Sequence, residues 1–283
     1  MVRTGAPGPG FQDDTNSWRS SGEWDARFRS SLSAAEVPVR EGWASLYAHT
    51  RCAPVPDAHP VQTEVVIVTA ARSFGAPTAQ SVQFTEAYAT EDIVLQTARS
   101  LAQEVGLAAV TPGAGSVLSL LAAAAGAKTV VEIGTGTGVS GVWLLRGMRA
   151  DGVLTTIDVE NEHQRIARRI FQEAGFAASR TRVITGRALD VLPRLADGVY
   201  DLIFVDADAA EFGACAEAAL RLLRSGGVLV VNGALAGGRI SDPAARDVDT
   251  ITIRETVKAV RESEEWIPAL IPTGAGLLAA VKR

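Results

Sequence analysis

The chain has 283 residues, 47% hydrophobic and 21% charged, with a formal net charge of −5 at pH 7. That composition supports a substantial core in one large domain or a domain with an appendage. It argues against a nucleic-acid partner, which would need a basic patch or stripe. The two cysteines, Cys52 and Cys215, cannot build a disulfide framework, so a reducing cytoplasm is the expected setting. Met1 to Gly10 is rich in Gly and Pro with no apolar run, so no signal peptide is expected. The longest apolar run, Val117 to Ala125, is closed by Gly126 and Lys128 and is too short to span a membrane.

Residues 1–82 are rich in Pro, Gly, Ser and Arg and read as a poorly ordered extension. Val65 to Val68 could form one short strand, and Trp18, Trp24 and Trp43 leave room for a partner-binding or dimer-clasping role. The regular domain is expected over residues 83–283. Thr90-Glu91-Asp92 resembles a helix start, and that helix should run to about Val105 and end at Gly106. A second helix is expected from about Gly113 to Ala125. Strands then alternate with helices. The strands are Thr129–Ile133, Val153–Ile157, Arg182–Thr185, Asp201–Val205 and Gly227–Val231. The helices between and after them are Val139–Met148, Glu160–Ala174, Ala188–Leu195, Ala209–Leu223 and Ala244–Glu262. This alternation implies βαβ units and a parallel sheet covered on both faces. Ala269–Pro272 and Gly276–Val281, separated by Thr273-Gly274-Ala275, read as a closing hairpin.

The chemistry concentrates where the first strand meets Gly134-Thr135-Gly136-Thr137-Gly138 and the helix beginning at Val139. Glycines let a ligand approach the backbone, and the helix start offers unpaired N–H groups, so this is a nucleotide-type pocket. Glu132, just before the glycines, would repel a pyrophosphate and suits a cationic or hydroxyl-bearing cofactor. Asp158, at the end of the second strand, stands where an acid takes ribose hydroxyls in doubly wound sheets. It could instead cap the helix that follows. Gly136 to Gly141 also matches G-x-G-x-x-G, which leaves a nicotinamide dinucleotide as an alternative.

Several motifs occur in one order. They are Val110-Thr111-Pro112, the E-x-G-x-G-x-G run from Glu132, the T-x-D ending at Asp158, and Gly186-Arg187-Ala188-Leu189. Phe204-Val205-Asp206-Ala207-Asp208, Leu222 to Gly227 and Leu270 to Gly276 follow. Over roughly residues 85 to 283 the chain resembles the class I S-adenosylmethionine-dependent O-methyltransferases of the catechol and caffeoyl-CoA type. The resemblance implies an α/β fold, a doubly wound, mostly parallel seven-stranded sheet with a C-terminal antiparallel hairpin. It implies methyl transfer from S-adenosylmethionine to an oxygen of a small-molecule acceptor, with no nucleic acid or membrane involved, by a cytoplasmic homodimer. Glu132 would bind the methionyl amino group, with Gly134, Thr135, Ser140 and Val110 around the same end. Asp158 would take the ribose, Ala188 the adenine, and Asp206 would stand where donor meets acceptor.

The chain also departs from that family. Metal-dependent members hold a divalent cation with the first Asp of D-A-D and an Asp-Asn pair after strand five. Here Asp206 remains, but the pair reads Asn232-Gly233, and the family's lysine three residues past the first Asp is Ala209. A site made of Asp206 and the Asn232 amide would be poor for Mg²⁺, which wants several oxygen ligands, so catalysis without a metal is expected. No obvious general base remains; Asp208 and Glu211 are nearby acids that could simply be solvated. The alternative is a cofactor-binding protein that has lost catalysis and serves as a regulator or scaffold. His163 reads as a partly exposed helix residue, Cys215 as packing, Trp143 as core or interface, and Arg168-Arg169 and Arg221/Arg224 as exposed helix faces.

Overall fold

Short β-branched runs between glycine turns need partners along both edges, and this chain supplies them within one sheet. The computed structural model describes residues 77–283. The expected extension lies outside the described residues apart from 77–82, as do Val65 to Val68, the tryptophans at 18, 24 and 43, and Cys52. The strands are β1 (Thr129–Ile133), β2 (Val153–Asp158), β3 (Thr181–Thr185), β4 (Tyr200–Val205), β5 (Leu223–Asn232), β6 (Trp266–Ile271) and β7 (Leu277–Lys282). They form a seven-stranded sheet in the order β3-β2-β1-β4-β5-β7-β6. The first five are parallel, and β7 lies antiparallel between β5 and β6.

The helices are α1 (Ala79–Tyr88), α2 (Ile93–Glu104), α3 (Pro112–Ala124), α4 (Val139–Gly147), α5 (Asn161–Glu173), α6 (Ala188–Val191), α7 (Phe212–Leu222) and α8 (Val248–Glu262). Successive strand residues point to opposite faces, and both faces are covered. Val130, Leu154, Leu202, Phe204 and Val230 pack with Leu95, Leu118, Leu144 and Phe171 from α2, α3, α4 and α5. Val131, Ile157, Ile203, Val205 and Val231 pack with Cys215, Leu222, Ile253 and Val260 from α7 and α8. No helix among the described residues is long and apolar enough to cross a membrane.

The expected elements are present, with shifts that have local causes. Within the expected start Thr90-Glu91-Asp92, the residue that caps α2 is Asp92, accepting from the Leu95 N–H at 3.1 Å. The helix expected over Ala188–Leu195 stops at Val191, and Leu192–Arg194 tightens into a 3₁₀ turn around Pro193, whose missing N–H cannot continue an α-helical ladder. The helix expected from Ala209 opens with a 3₁₀ turn over Ala209–Glu211 and hands over to β5 at Leu223. The helix expected from Ala244 begins only at Val248, capped by Asp247. Helix α1 has no counterpart in the sequence reading.

Arg221 and Arg224 are not free surface residues. Arg221 donates to the Leu192 carbonyl at 2.8 Å and the Leu195 carbonyl at 3.2 Å and pairs with Asp197. Arg224, in β5 rather than on a helix, donates to Asp201 Oδ1 at 2.6 Å.

Strand order runs outward in opposite directions from β1 and β4. Their carboxyl ends therefore open a crevice where connections diverge, the place ligands occupy in sheets of this kind.

Candidate active site

Chain geometry at the ends of β1 and β4 leaves no room for a side chain. The Gly134 N–H bonds the Ile157 carbonyl and the Asp206 N–H bonds the Ile133 carbonyl, each at 2.8 Å, extending the ladder past the strands. Gly134 has φ +92°, and a Cβ there would stand 2.0 Å from the Asp206 carbonyl oxygen. Glycine is therefore required. Gly138 ends the turn with φ +92° and starts α4, whose first N–H groups have no side-chain cap. These are the groups a helix start offers to a ligand.

Glu132 is 0% exposed. Its Oε2 accepts from the Thr156 hydroxyl at 2.7 Å, and that hydroxyl lies 2.7 Å from the Thr135 hydroxyl. Its Oε1 is buried with no partner among the described residues. Burial pushes the Glu132 carboxyl up to about 8, against the hydroxyls of Thr156 and Ser140, and the charges of Asp206 and Asp158 add to the rise.

Asp158 does not cap α5, whose N-cap is Glu160 with no side-chain bond. Instead its Oδ2 accepts from the Gly136 N–H and its Oδ1 from the Glu160 N–H, each at 2.9 Å. The carboxylate thus shapes the glycine turn while keeping further lone pairs free. His163 Nδ1 lies 4.0 Å from Asp158 Oδ1.

Beyond β4, Asp206 Oδ1 accepts from the Asn232 amide at 2.9 Å, and the Asn232 Oδ1 is buried without a partner among the described residues. Burial raises the Asp206 carboxyl, and the Asn232 hydrogen bond opposes that rise. Asp208 accepts from the Ala210 N–H at 3.0 Å, and Glu211 sits 3.6 Å from Arg187.

These elements enclose a cleft of about 450 Å³, within the size range of small-ligand sites. Val110, Gly134, Thr135, Ser140, Asp158, Ala188 and Asp206 all line it. Glu132 does not; it stands behind the glycine turn. Leu107, Ala109 and His163 also line the cleft, and sequence reading did not assign them there. His163 is half-buried on α5, the partly exposed helix residue expected.

Arg99 is another unassigned contributor. It bonds the Val110 carbonyl at 2.7 Å while paired with Glu91 at 2.6 Å. No sequence pattern announces that contact, because Arg99 reads only as a polar position on α2. Trp143 is buried against the backbone of Gly115, where a Cβ would approach its ring to 2.4 Å. Cys215 is a buried packing residue.

A divalent cation fits these residues badly. Asp206 turns its oxygen to an amide N–H, Gly233 brings no side chain, and Mg²⁺ needs a shell of oxygen ligands. Among the described residues no cluster of three or more His, Cys, Asp or Glu could hold a metal. A donor carrying an ammonium group, a ribose and an adenine fits better. The glycine cradle, the orphan oxygen of Glu132 and the carboxylate of Asp158 are of the matching kind.

Comparison with known proteins supplies the family. The O-methyltransferase family profile matches residues 80–283. Rv1220c of Mycobacterium tuberculosis (strain H37Rv), an O-methyltransferase by name, is 55% identical over 193 residues, covering 68% of this chain and 86% of that protein. The crystal structure of cofactor-bound Rv0187 from MTB superposes with a TM-score of 0.66 at 34% identity, covering 74% of this chain and 98% of the other. TomG from Streptomyces achromogenes, an O-methyltransferase of tomaymycin synthesis crystallised with SAM, gives 0.65 at 32% identity, covering 73% and 96%. The chain belongs to the O-methyltransferase family.

Proposed function

We propose that this O-methyltransferase moves the methyl group of S-adenosylmethionine to an oxygen of a small-molecule acceptor without a divalent metal. The observation that carries the metal-free reading is the Asn232 amide donating to Asp206 at 2.9 Å, where a cation ligand would have to turn an oxygen. When bound, the donor supplies a sulfonium methyl that is already activated, so catalysis rests mainly on placement.

Glu132 is assigned to the donor's ammonium group. Its buried Oε1 lacks a partner among the described residues, and an ammonium would satisfy it. Gly134, Thr135, Ser140 and Val110 surround that end, Asp158 takes the ribose hydroxyls and Ala188 the adenine. Asp206 faces the point where donor and acceptor meet. With Ala209 in place of a lysine, the acceptor hydroxyl must ionise readily or hand its proton to an acid at the mouth. Two carboxylates around the glycine turn speak against the pyrophosphate of a nicotinamide dinucleotide.

The catalytic unit is residues 83–283, supported by the family match from residue 80. A cytoplasmic homodimer is the proposed form, supported by a free Cys215 and by the exposed rings of Phe84 and Tyr88 on α1.

The test is a methylation assay over a panel of phenols and catechols, with and without chelator. Turnover that survives the chelator supports the reading, and an absolute Mg²⁺ requirement refutes it. Binding of S-adenosylhomocysteine with no turnover on any acceptor would favour the second reading, a cofactor-binding regulator, which Ala209 and Gly233 make concrete.

A further inference from the structure

Helix α1 buries none of its own residues, yet one of its side chains ties two distant parts of the chain to it. Glu86 Oε2 accepts from the Gly113 N–H at 2.9 Å, at the start of α3. Its Oε1 accepts from the Thr273 hydroxyl and the Gly274 N–H, both at 2.8 Å, in the turn between β6 and β7. The site is built for this approach: a Cβ on Gly113 would lie 2.4 Å from Glu86 Oε2 and 2.8 Å from the Thr273 hydroxyl. Partial burial pushes the Glu86 carboxyl up, but Thr111, Gly274, Thr273 and Gly113 together outweigh it and hold the group below its ordinary value.

Both ends of this knot lead to the cleft. Gly113 follows Val110-Thr111-Pro112, the wall that Arg99 fixes from the other side. The β6–β7 turn is bonded to the segment after Asn232, through the Ala234 N–H on the Gly276 carbonyl at 3.0 Å and the Leu235 N–H on the Ala275 carbonyl at 3.1 Å. Asn232 in turn holds Asp206. One carboxylate therefore sets the spacing between the Val110 wall and the loop beyond β5.

We propose that Glu86 is a positioning residue that joins α1, the start of α3 and the β6–β7 turn into one wall of the acceptor mouth. This rests on the reading of Asp206 as the meeting point of donor and acceptor. The donor contacts on β1, β2 and α4 do not depend on it, and Val110, the donor contact on that wall, is held separately by Arg99.

Glu86→Gln replaces an all-acceptor group by one whose amide must face an N–H or hydroxyl donor. Thr273→Val removes a single bond of the three. Hydrogen exchange on the full chain should show faster exchange in residues 79–88 and 272–276 for both variants, larger in Glu86→Gln, with 129–147 unchanged. S-adenosylhomocysteine affinity by calorimetry should stay within about twofold, while KM for the best phenol of the panel rises on the order of tenfold with kcat little changed. Glu86→Asp should recover part of that KM.

Unaltered exchange in both segments would overturn the clamp, and equal losses of donor and acceptor binding would reduce Glu86 to a general stability residue. A wild-type protein that methylates no phenol sinks the proposed reaction instead, and the exchange pattern still decides the clamp.

Discussion

Glu132 carries the most informative energetics at the residue scale. A carboxylate taken wholly out of water is costly unless paired, and here only one oxygen has a partner. In the donor-free protein the group therefore keeps its proton up to about pH 8. The folded state binds that proton more tightly than the unfolded chain, which releases it near 4.5. Folding stability contributed by Glu132 is thus fully present at low pH and is lost as pH rises between those two values. Comparing unfolding midpoints of wild type and Glu132→Gln across this range should show a falling difference. A pH-independent difference would mean the carboxylate is ionised throughout. Binding of an ammonium-bearing donor should release this proton, so calorimetry in buffers of differing ionisation enthalpy should detect proton uptake by the buffer. Glu132→Gln should weaken S-adenosylhomocysteine binding by roughly 100-fold or more, the usual scale for breaking a buried charge pair. Gly134→Ala offers a steric check on the same site. With φ at +92° and the Asp206 carbonyl 2.0 Å from the added carbon, it should give little soluble, folded protein.

Among elements, the sheet is closed at the end opposite the cleft by Asp201, the second residue of β4. Its Oδ2 accepts from the N–H groups of Lys128 and Thr129, each at 2.8 Å, and its Oδ1 from Arg224 at 2.6 Å. Burial raises this carboxyl, but the bonds from Thr129, Arg224 and Lys128 outweigh it and hold it below its ordinary value. The sign is opposite to that of Glu132: its stabilisation is present above the unfolded pKa and is lost as pH falls through the folded one. Asp201→Ala leaves two N–H groups and a guanidinium without their acceptor and should cost about 2–3 kcal/mol. For a domain of this size that is a drop of roughly 5–10 °C in the thermal midpoint, with kcat at low temperature unchanged. A midpoint within a degree of wild type would show that water replaces the carboxylate. Elements of this sheet were readable in the sequence because β-branched runs, glycine turns and intervening apolar helices repeat with the right periods. Helix α1 was not, since it buries no apolar stripe and its side-chain bonds to the rest of the domain come from one carboxylate, which reaches as far as a hydroxyl 187 positions away. The extra length of β6, from Trp266 rather than Ala269, likewise depends on pairing with β7 and not on local pattern.

For the molecule as a whole, the placement of the residues proposed for the donor was legible and that of the rest less so. Glu132, Gly134 and Asp158 follow one another at fixed distances along β1, its turn and β2, so sequence order preserves their geometry. Arg99, Thr156 and Glu86 act through partners that only the folded chain brings near, and the orientation of the Asn232 amide toward Asp206 is a tertiary fact. That orientation has a global consequence. A ligand that binds only the native state stabilises it by mass action, about 2.7 kcal/mol at a hundredfold excess over Kd. S-adenosylhomocysteine at that excess should raise the thermal midpoint by roughly 5–10 °C. Magnesium chloride alone at millimolar concentration should shift it by less than about 1 °C, because Asp206 already faces a hydrogen-bond donor and Gly233 adds no ligand. The decisive comparison is Asn232→Asp, which restores a second carboxylate beside Asp206. In that variant magnesium should become stabilising, since two close carboxylates repel each other until a cation stands between them. If wild type already gains as much from magnesium as Asn232→Asp does, the amide must have turned its oxygen to the ion, and the metal-free reading fails.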